Sequence, residues 1–126
     1  MNTPGIETLA REKRRELFAR CMDELSADAL LTAHHRDDQA ETVLMHAARG
    51  SDIRGLCAMR ARRGNLIRPL LTFTPEQLRA YLQSIGQPWR EDETNVCQDY
   101  ARNRIRHAAL PALEAAYPDA RAALAR

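Results

Sequence analysis

The 126-residue sequence has few aromatic residues and no long apolar run. No apolar stretch approaches the roughly 18 residues that a membrane-spanning helix needs. The N-terminal residues MNTPGIETLAREKRR also lack the apolar segment of a signal peptide. These absences predict a cytoplasmic protein without a membrane partner. We expect the side chains of Phe73, Tyr81 and Trp89 to lie in the core rather than on a base-stacking surface.

Cysteines are few and far apart. Cys21, Cys57 and Cys97 form no CxxC pair. An odd, scattered set is typical of reduced thiols in a cytosol, and it disfavours both a disulfide framework and a structural zinc site.

Neither sign of charge predominates, since the formal net charge is only +2. The global balance therefore gives no sign of a polyanionic partner. One segment differs, because residues 49–68 contain a single acid, Asp52, and six arginines: Arg49, Arg54, Arg60, Arg62, Arg63 and Arg68. Arginines can bind RNA phosphates, but a solvated basic loop is an equally good interpretation for Arg60, Arg62 and Arg63.

The first half of the chain has the pattern of an α/β protein. Residues 6–25 carry apolar side chains at helical spacing, and residues 29–33 form a short apolar run that suits a buried parallel strand. A polar turn follows at His34 and His35, and then a helix that Gly50 ends. Helix, strand, turn and helix in this order indicate a doubly wound fold, in which ligands bind at the carboxyl ends of strands.

The second half is predicted to be mainly helical. Residues 66–71 form a strand or an extended link, and Pro69 argues against a central position in a sheet. Thr74 and Pro75 start a helix that Gly86 closes. A last helix covers residues 100–109, and Pro111 either ends it or opens another helix that residues 117–118 break.

The polar turn before the second helix carries several groups with chemical potential. His34, His35, Asp37 and Asp38 lie within five residues and can ligate a metal. Asp38 and Glu41 share one face of the helix and can bind Mg²⁺ or the ammonium group of a substrate. Alternatively, Asp37 only caps the helix and the histidines form local hydrogen bonds.

A second polar set lies on the last helix, in the string RNRIRH. Helical spacing places Arg102, Asn103, Arg106 and His107 on one arc. The opposite arc carries Ala101, Ile105, Ala108 and Ala109. The polar arc can hold a phosphate or a nucleotide base, or it is simply an exposed basic face.

These strings resemble a known family. The string LLTAHHRDDQAETVL at residues 30–44, with Arg49-Gly50-Ser51 after it and RNRIRH at residues 102–107, resembles tRNA(Ile)-lysidine synthetases, which belong to the PP-loop ATP pyrophosphatase group. Weaker matches are Gly5-Ile6-Glu7, Arg54-Gly55-Leu56, Arg68-Pro69-Leu70-Leu71, Trp89, Asp92, Asn95 and Tyr100. Asp52 departs from the pattern, which has a small residue there, and it adds an acid beside the expected site.

The resemblance implies a partial doubly wound α/β domain of the adenine-nucleotide-hydrolase-like type, mostly helical with one or two short parallel strands. Residues 1–110 would be the C-terminal half of the catalytic domain, and residues 111–126 the start of a helical linker. The family's SGGxDS phosphate loop has no counterpart in this sequence. An N-terminal half of the catalytic domain is therefore an expected partner.

The resemblance also implies a reaction. ATP adenylates the wobble cytidine of an isoleucine tRNA, and the amine of free L-lysine then displaces AMP. The expected ligands are thus ATP with Mg²⁺, the tRNA(Ile) anticodon and lysine.

Residue roles follow from the resemblance. Asp38 would contact the lysine ammonium or Mg²⁺. His34 and Arg49 would lie near the reacting base or phosphates, and Arg102 and Arg106 would stabilise charge during adenyl transfer. The remaining ATP-binding and substrate-binding candidates are His35, Asp37, Glu41 and Asn103.

Three alternatives remain open at this stage. A tRNA 2-thiocytidine synthetase carries a similar HHRDD string but uses paired cysteines for an iron–sulfur cluster. A metal-dependent phosphohydrolase would use His34, His35, Asp37 and Asp38 as ligands. The third alternative is an RNA-binding remnant without catalytic activity.

We expect the 126-residue chain alone to release no AMP from ATP in the presence of tRNA and lysine, because it lacks the SGGxDS loop whose backbone N–H groups hold the phosphates in this family. A radiolabelled-ATP assay checks this expectation, and AMP release above the no-enzyme background contradicts it.

Overall fold

The computed structural model describes residues 6–91 and 101–126. The chain divides into two compact units. The first unit comprises residues up to Thr32 together with Arg62–Ile67, and the second comprises Ala33–Ala61 and Arg68–Arg126. Within the described ranges, no helix combines the length and apolar character that crossing a bilayer requires.

The first unit contains one helix and a small sheet. Helix α1 spans Ile6–Glu24, close to the predicted 6–25. Strands β1 (Leu30–Leu31), β2 (Arg62–Arg63) and β3 (Leu66–Ile67) form a sheet in the order β1-β3-β2. β1 runs parallel to β3, whereas β2 is antiparallel to it.

The sheet departs from the sequence prediction in three ways. The antiparallel strand β2 was not predicted; Gly64, whose φ is 62°, forms the turn that folds it back on β3. β3 is the middle strand, and it ends at Ile67, two residues before Pro69, so the proline removes no ladder hydrogen bond. The prediction of a buried β1 is wrong for Leu31, which is 64% exposed.

The second unit is helical. It contains α2 (Arg36–Ala48), α3 (Ile53–Leu56), α4 (Pro75–Ser84), α5 (Ala101–Arg104), a π turn (Ile105–Ala109), α6 (Leu110–Ala116) and α7 (Ala120–Leu124). The segment from α5 through the π turn to α6 is one continuous helical run. A predominantly helical chain with a small sheet agrees with the predicted fold class.

Several predicted helix boundaries are confirmed. Thr74 caps α4 through a capping box with Gln77, and Pro75 is its first residue. Gly50 and Gly86 follow α2 and α4 with φ of 72° and 67°, a conformation that glycine adopts without strain. Pro111 lies in the first turn of α6, inside the continuous helical run, so it does not end that run. The predicted start of the last helix at residue 100, together with the candidates Asp92 and Asn95, lies outside the described residues.

The buried centre of the second unit lies where α2 meets the helices after residue 101. Its buried apolar residues are Ala40, Leu110 and Ala120. Two polar residues are buried with them: Glu41, with no exposed surface, and Asn103, which is 8% exposed. The packed centre of this unit therefore contains a carboxylate.

The prediction that the aromatic residues lie in the core is wrong. Phe73, Tyr81 and Trp89 are all exposed. The buried residues come from α2, α5, α6 and α7, and α4 contributes none. The indole N–H of Trp89 donates to the Glu91 carboxylate, which also pairs with Arg79 at the surface.

Candidate functional site

The polar turn after β1 is a helix cap. His35 has extended backbone angles, and its Nδ1 accepts a hydrogen bond from the Asp38 N–H at 3.4 Å. The Asp38 carboxylate in turn accepts from the His35 N–H at 2.9 Å. His35 and Asp38 thus form a reciprocal capping box, and the alternative in which Asp37 caps the helix is wrong. Because Nδ1 accepts, a neutral His35 carries its proton on Nε2.

One turn further along α2, Glu41 binds two arginines of the RNRIRH string. Its carboxylate accepts from Arg102 Nε at 2.7 Å and from Arg106 Nε and Nη2 at 2.6 and 3.1 Å. Arg102 Nη2 also donates to Asp38 Oδ1 at 3.1 Å, and Arg106 Nη2 lies 3.6 Å from the same oxygen. We call Asp38, Glu41, Arg102 and Arg106 the acid–arginine cluster.

The cluster joins two strings that lie about sixty residues apart in the sequence. Its two carboxylates balance its two guanidinium groups. The hydrogen bond with Glu41 raises the pKa of Arg106 against the opposing effect of burial, so this arginine stays charged. Buried ion pairs are tolerated only when the remaining polar atoms are also hydrogen-bonded, and the several donors on Glu41 meet that condition.

The orientation of the RNRIRH helix is only partly as predicted. Arg102, Asn103 and Arg106 do share one face, but this face packs on α2 and is not exposed. On the opposite arc, Ala101, Ala108 and Ala109 face solvent. The interpretation as an exposed basic face is therefore wrong for the two arginines. His107, assigned to the polar arc, is exposed.

Asp37 points away from the cluster, towards the C-terminal helices. Its Oδ2 accepts from Arg121 Nη1 at 2.7 Å. The same guanidinium binds Glu114 through Nε and Nη2 at 2.9 and 3.0 Å. The hydrogen bond to Arg121 lowers the pKa of Glu114, and the bond to Glu114 raises that of Arg121. Asp37 Oδ1 is buried and has no hydrogen-bond partner within the described ranges.

Gln39, in the middle of the HHRDDQAET string, holds a loop in place. Its side-chain amide donates to the Met59 carbonyl and accepts from the Met59 N–H, both at 3.0 Å. This paired contact fixes the loop after α3 against α2. Asp52, expected to add an acid near the site, instead caps α3 by accepting from the Gly55 N–H at 2.9 Å.

His34 and Arg49 differ in how close they lie to the cluster. Burial lowers the pKa of the His34 imidazole, Asp38 opposes this shift, and Arg68 and Arg102 add to it. His34 is therefore electrostatically linked to the cluster and neutral at pH 7. Arg49 follows the last residue of α2 and is exposed. A helix of 13 residues is about 20 Å long, so Arg49 is at the far end from His35.

The candidate metal ligands do not converge. Among the residues that the structure describes, no group of three or more histidine, cysteine, aspartate or glutamate side chains could hold a metal ion. Asp37 is bound by Arg121, and Asp38 by the cap and by Arg102. The phosphohydrolase alternative therefore lacks a metal centre in these ranges.

Comparison with known proteins identifies the family of this chain. The family model described as PP-loop domain matches residues 1–113.

This chain belongs to the PP-loop domain family.

Its relatives include several tRNA(Ile)-lysidine synthases, which confirms the resemblance in the sequence. The protein of that name from Alkalilimnicola ehrlichii is 48% identical over 120 residues, covering 92% of this chain and 26% of the relative. Those from Thermus thermophilus and Parabacteroides distasonis are 46% and 44% identical, each over 97% of this chain and 24% and 28% of their own length. The chain thus spans about a quarter of the curated relatives that it matches.

A solved structure confirms the fold. The U34-tRNA thiolase NcsA from Methanococcus maripaludis, solved with its [4Fe-4S] cluster, superposes with a TM-score of 0.72 at 18% sequence identity. The alignment covers 98% of this chain and 43% of the thiolase. At this identity the likeness shows a shared PP-loop fold and nothing more.

Sequence reasoning missed three side chains whose contacts shape the second unit: Gln39, Glu114 and Arg121. Gln39 lies inside the recognised string, but an amide has no distinctive chemistry that would single it out. Arg121 and Glu114 are separated by the break at Pro118. No helical spacing could therefore pair them, or bring either one to Asp37.

We expect Glu41→Gln to lower the free energy of unfolding by about 3–5 kcal/mol, because it leaves two partly buried guanidinium groups without their main counter-charge. Urea denaturation followed by circular dichroism measures the change. The matched control is Glu91→Gln, which removes an acid of the exposed Arg79–Glu91 pair and should have little effect. If the free energy of unfolding falls by the same small amount in both variants, the role given to Glu41 is contradicted.

A second prediction concerns pH. The pKa of His34 is lower in the folded chain than in the unfolded chain, so the unfolded chain binds more protons as pH falls. The contribution of neutral His34 to the free energy of unfolding is present above the unfolded-state pKa of about 6.5. It is lost as pH falls through the folded-state pKa. We expect the free energy of unfolding to decline between about pH 7.5 and 5.5, and His34→Gln to flatten this decline.

The control for this experiment is His107→Gln, at an exposed histidine of the same unit. The flattening measured by urea denaturation should be larger in His34→Gln than in His107→Gln. A His34→Gln variant whose slope equals that of the wild type would show that His34 is not held neutral by burial.

Proposed function

We propose that this chain forms part of the catalytic domain of a tRNA(Ile)-lysidine synthase, with residues 1–110 supplying the C-terminal half of that domain. The reaction is ligation of L-lysine to the wobble cytidine of an isoleucine tRNA, with ATP converted to AMP and pyrophosphate. One observation carries the proposal. The HHRDDQAET and RNRIRH strings meet in the acid–arginine cluster, in a chain 48% identical to a relative of that name.

The charge balance of the cluster suits this pair of ligands. Two carboxylates and two guanidinium groups are neutral together, so a triphosphate or an ammonium ion alone would unbalance them. A phosphate group draws on the arginines and leaves the carboxylates in excess, and the ammonium of lysine offsets part of that negative charge. The cluster therefore favours joint binding of a nucleotide and a cationic amine.

The side chains of the acid–arginine cluster differ in solvent exposure, and we assign their roles from this difference. Arg102 and Arg106 keep about a quarter of their side-chain surface exposed, so they can contact phosphate oxygens. Asp38 is exposed at 14% and is our candidate for the lysine ammonium. Glu41 has no exposed surface and acts by holding both arginines. His34, neutral at pH 7, can accept the proton that the attacking amine loses.

The described residues do not fit Mg²⁺ at Asp38. One carboxylate oxygen accepts from the His35 N–H and the other from Arg102. Magnesium is bound in octahedral geometry through one or two carboxylates together with waters and substrate phosphates, and the second carboxylate of the cluster, Glu41, is fully buried and held by both arginines. We therefore assign Asp38 to the amine and derive no step through a metal ion.

The test is Asp38→Asn in a full-length enzyme that contains these residues. Asparagine keeps an acceptor for the His35 N–H but removes the charge, so we expect lysidine formation to fall by about 100-fold or more, with the KM for lysine raised more than that for ATP. Incorporation of labelled lysine into tRNA measures both parameters. Asp52→Asn, the same change at the cap of α3, should leave them unchanged. Near-normal turnover in Asp38→Asn contradicts the assignment.

A further inference from the structure

We propose that Arg121 is a positioning residue of this site, and that α7 is therefore part of the functional unit. Arg121 neutralises Asp37 in the first turn of α2 and so stabilises the capping box that orients the Asp38 carboxylate. The inference depends on the proposed function for its catalytic meaning, but its structural content can be tested without substrate.

The contacts of Arg121 are specific. Nη1 donates to Asp37 Oδ2, while Nε and Nη2 form a two-point contact with the Glu114 carboxylate. The side chain is 19% exposed, and the neighbouring Ala120 is buried. A guanidinium held at two points by one acid is fixed in orientation, so its remaining edge is aimed at Asp37.

Asp37 needs this partner because of where it lies. It directly precedes Asp38 in the first turn of α2, and its side chain is 13% exposed. The other cation beside it is Arg36, whose Nε lies 3.9 Å away without a hydrogen bond. Without Arg121, a largely buried carboxylate would be left without its main counter-charge at the start of α2, directly beside the capping box.

The position of Arg121 in the chain makes this assignment unexpected. The match to the family model ends at residue 113, and the resemblance implies a helical linker from residue 111 onward. In the structure, α7 packs directly on α2. The ion pair thus links a helix outside the recognised domain to the residue next to Asp38.

The experiment is amide hydrogen exchange by NMR on the 126-residue chain carrying Arg121→Gln. The probes are the His35 and Asp38 N–H groups, which form the capping box. We expect their protection to fall about tenfold through local opening, while the Leu78 N–H, which bonds to Thr74 in α4, changes less than about twofold. Arg79→Gln, which breaks the exposed pair with Glu91, should leave the capping box unchanged.

A second variant distinguishes neutralisation of the Asp37 charge from simple loss of the Arg121 contact between α7 and α2. In Arg121→Gln combined with Asp37→Asn, the uncompensated carboxylate is gone, so cap protection should return to within about twofold of the wild type. Three results would overturn the inference: unchanged cap protection in Arg121→Gln, equal losses at the cap and at Leu78, or no recovery in the double variant. Because no substrate is used, failure here is distinct from failure of the proposed reaction.

Discussion

The buried carboxylate of Glu41, held by the guanidinium groups of Arg102 and Arg106, is the interaction on which the second unit depends. The apolar residues buried around it, Ala40, Leu110 and Ala120, are mostly small, so hydrophobic burial alone contributes little there. The hydrogen bonds of Glu41 with Arg102 and Arg106 therefore determine how α2 and the RNRIRH segment are positioned against each other. Replacing a buried ion pair by apolar residues of equal volume is often neutral or stabilising, whereas removing one partner alone is strongly destabilising. The cluster therefore holds Glu41, Arg102 and Arg106 together as a set.

The same atoms serve both structure and site. The capping box between His35 and Asp38 starts α2 and orients the Asp38 carboxylate towards Arg102. Gln39 fixes the loop after α3, and Asp37 connects α2 to α7. Successive residues of one helical turn therefore point to different parts of the second unit. This arrangement explains why the string HHRDDQAET is dense in polar side chains although much of it is shielded from solvent.

Local signals in the sequence were enough to predict helices α1, α2 and α4. Thr74, Pro75 and Gly86 marked α4, and Gly50 marked the end of α2, because caps and positive-φ positions depend on neighbouring residues alone. The meeting of Asp38 and Glu41 with Arg102 and Arg106 could be expected only through the family resemblance. Arg121 could not be foreseen, since its contacts depend on how α7 packs. The exposure of Tyr81 and Trp89 likewise depends on which helices form the core, which periodicity does not reveal.

The most direct test of the account is a double-mutant cycle between Glu41 and Arg106, with Glu41→Gln, Arg106→Gln and the double variant compared by urea denaturation. If the cluster holds α2 to the RNRIRH segment, removing the second partner should cost much less than removing the first. The account predicts a coupling energy of at least about 1.5 kcal/mol. Effects of the two substitutions that add to within about 0.5 kcal/mol would contradict it.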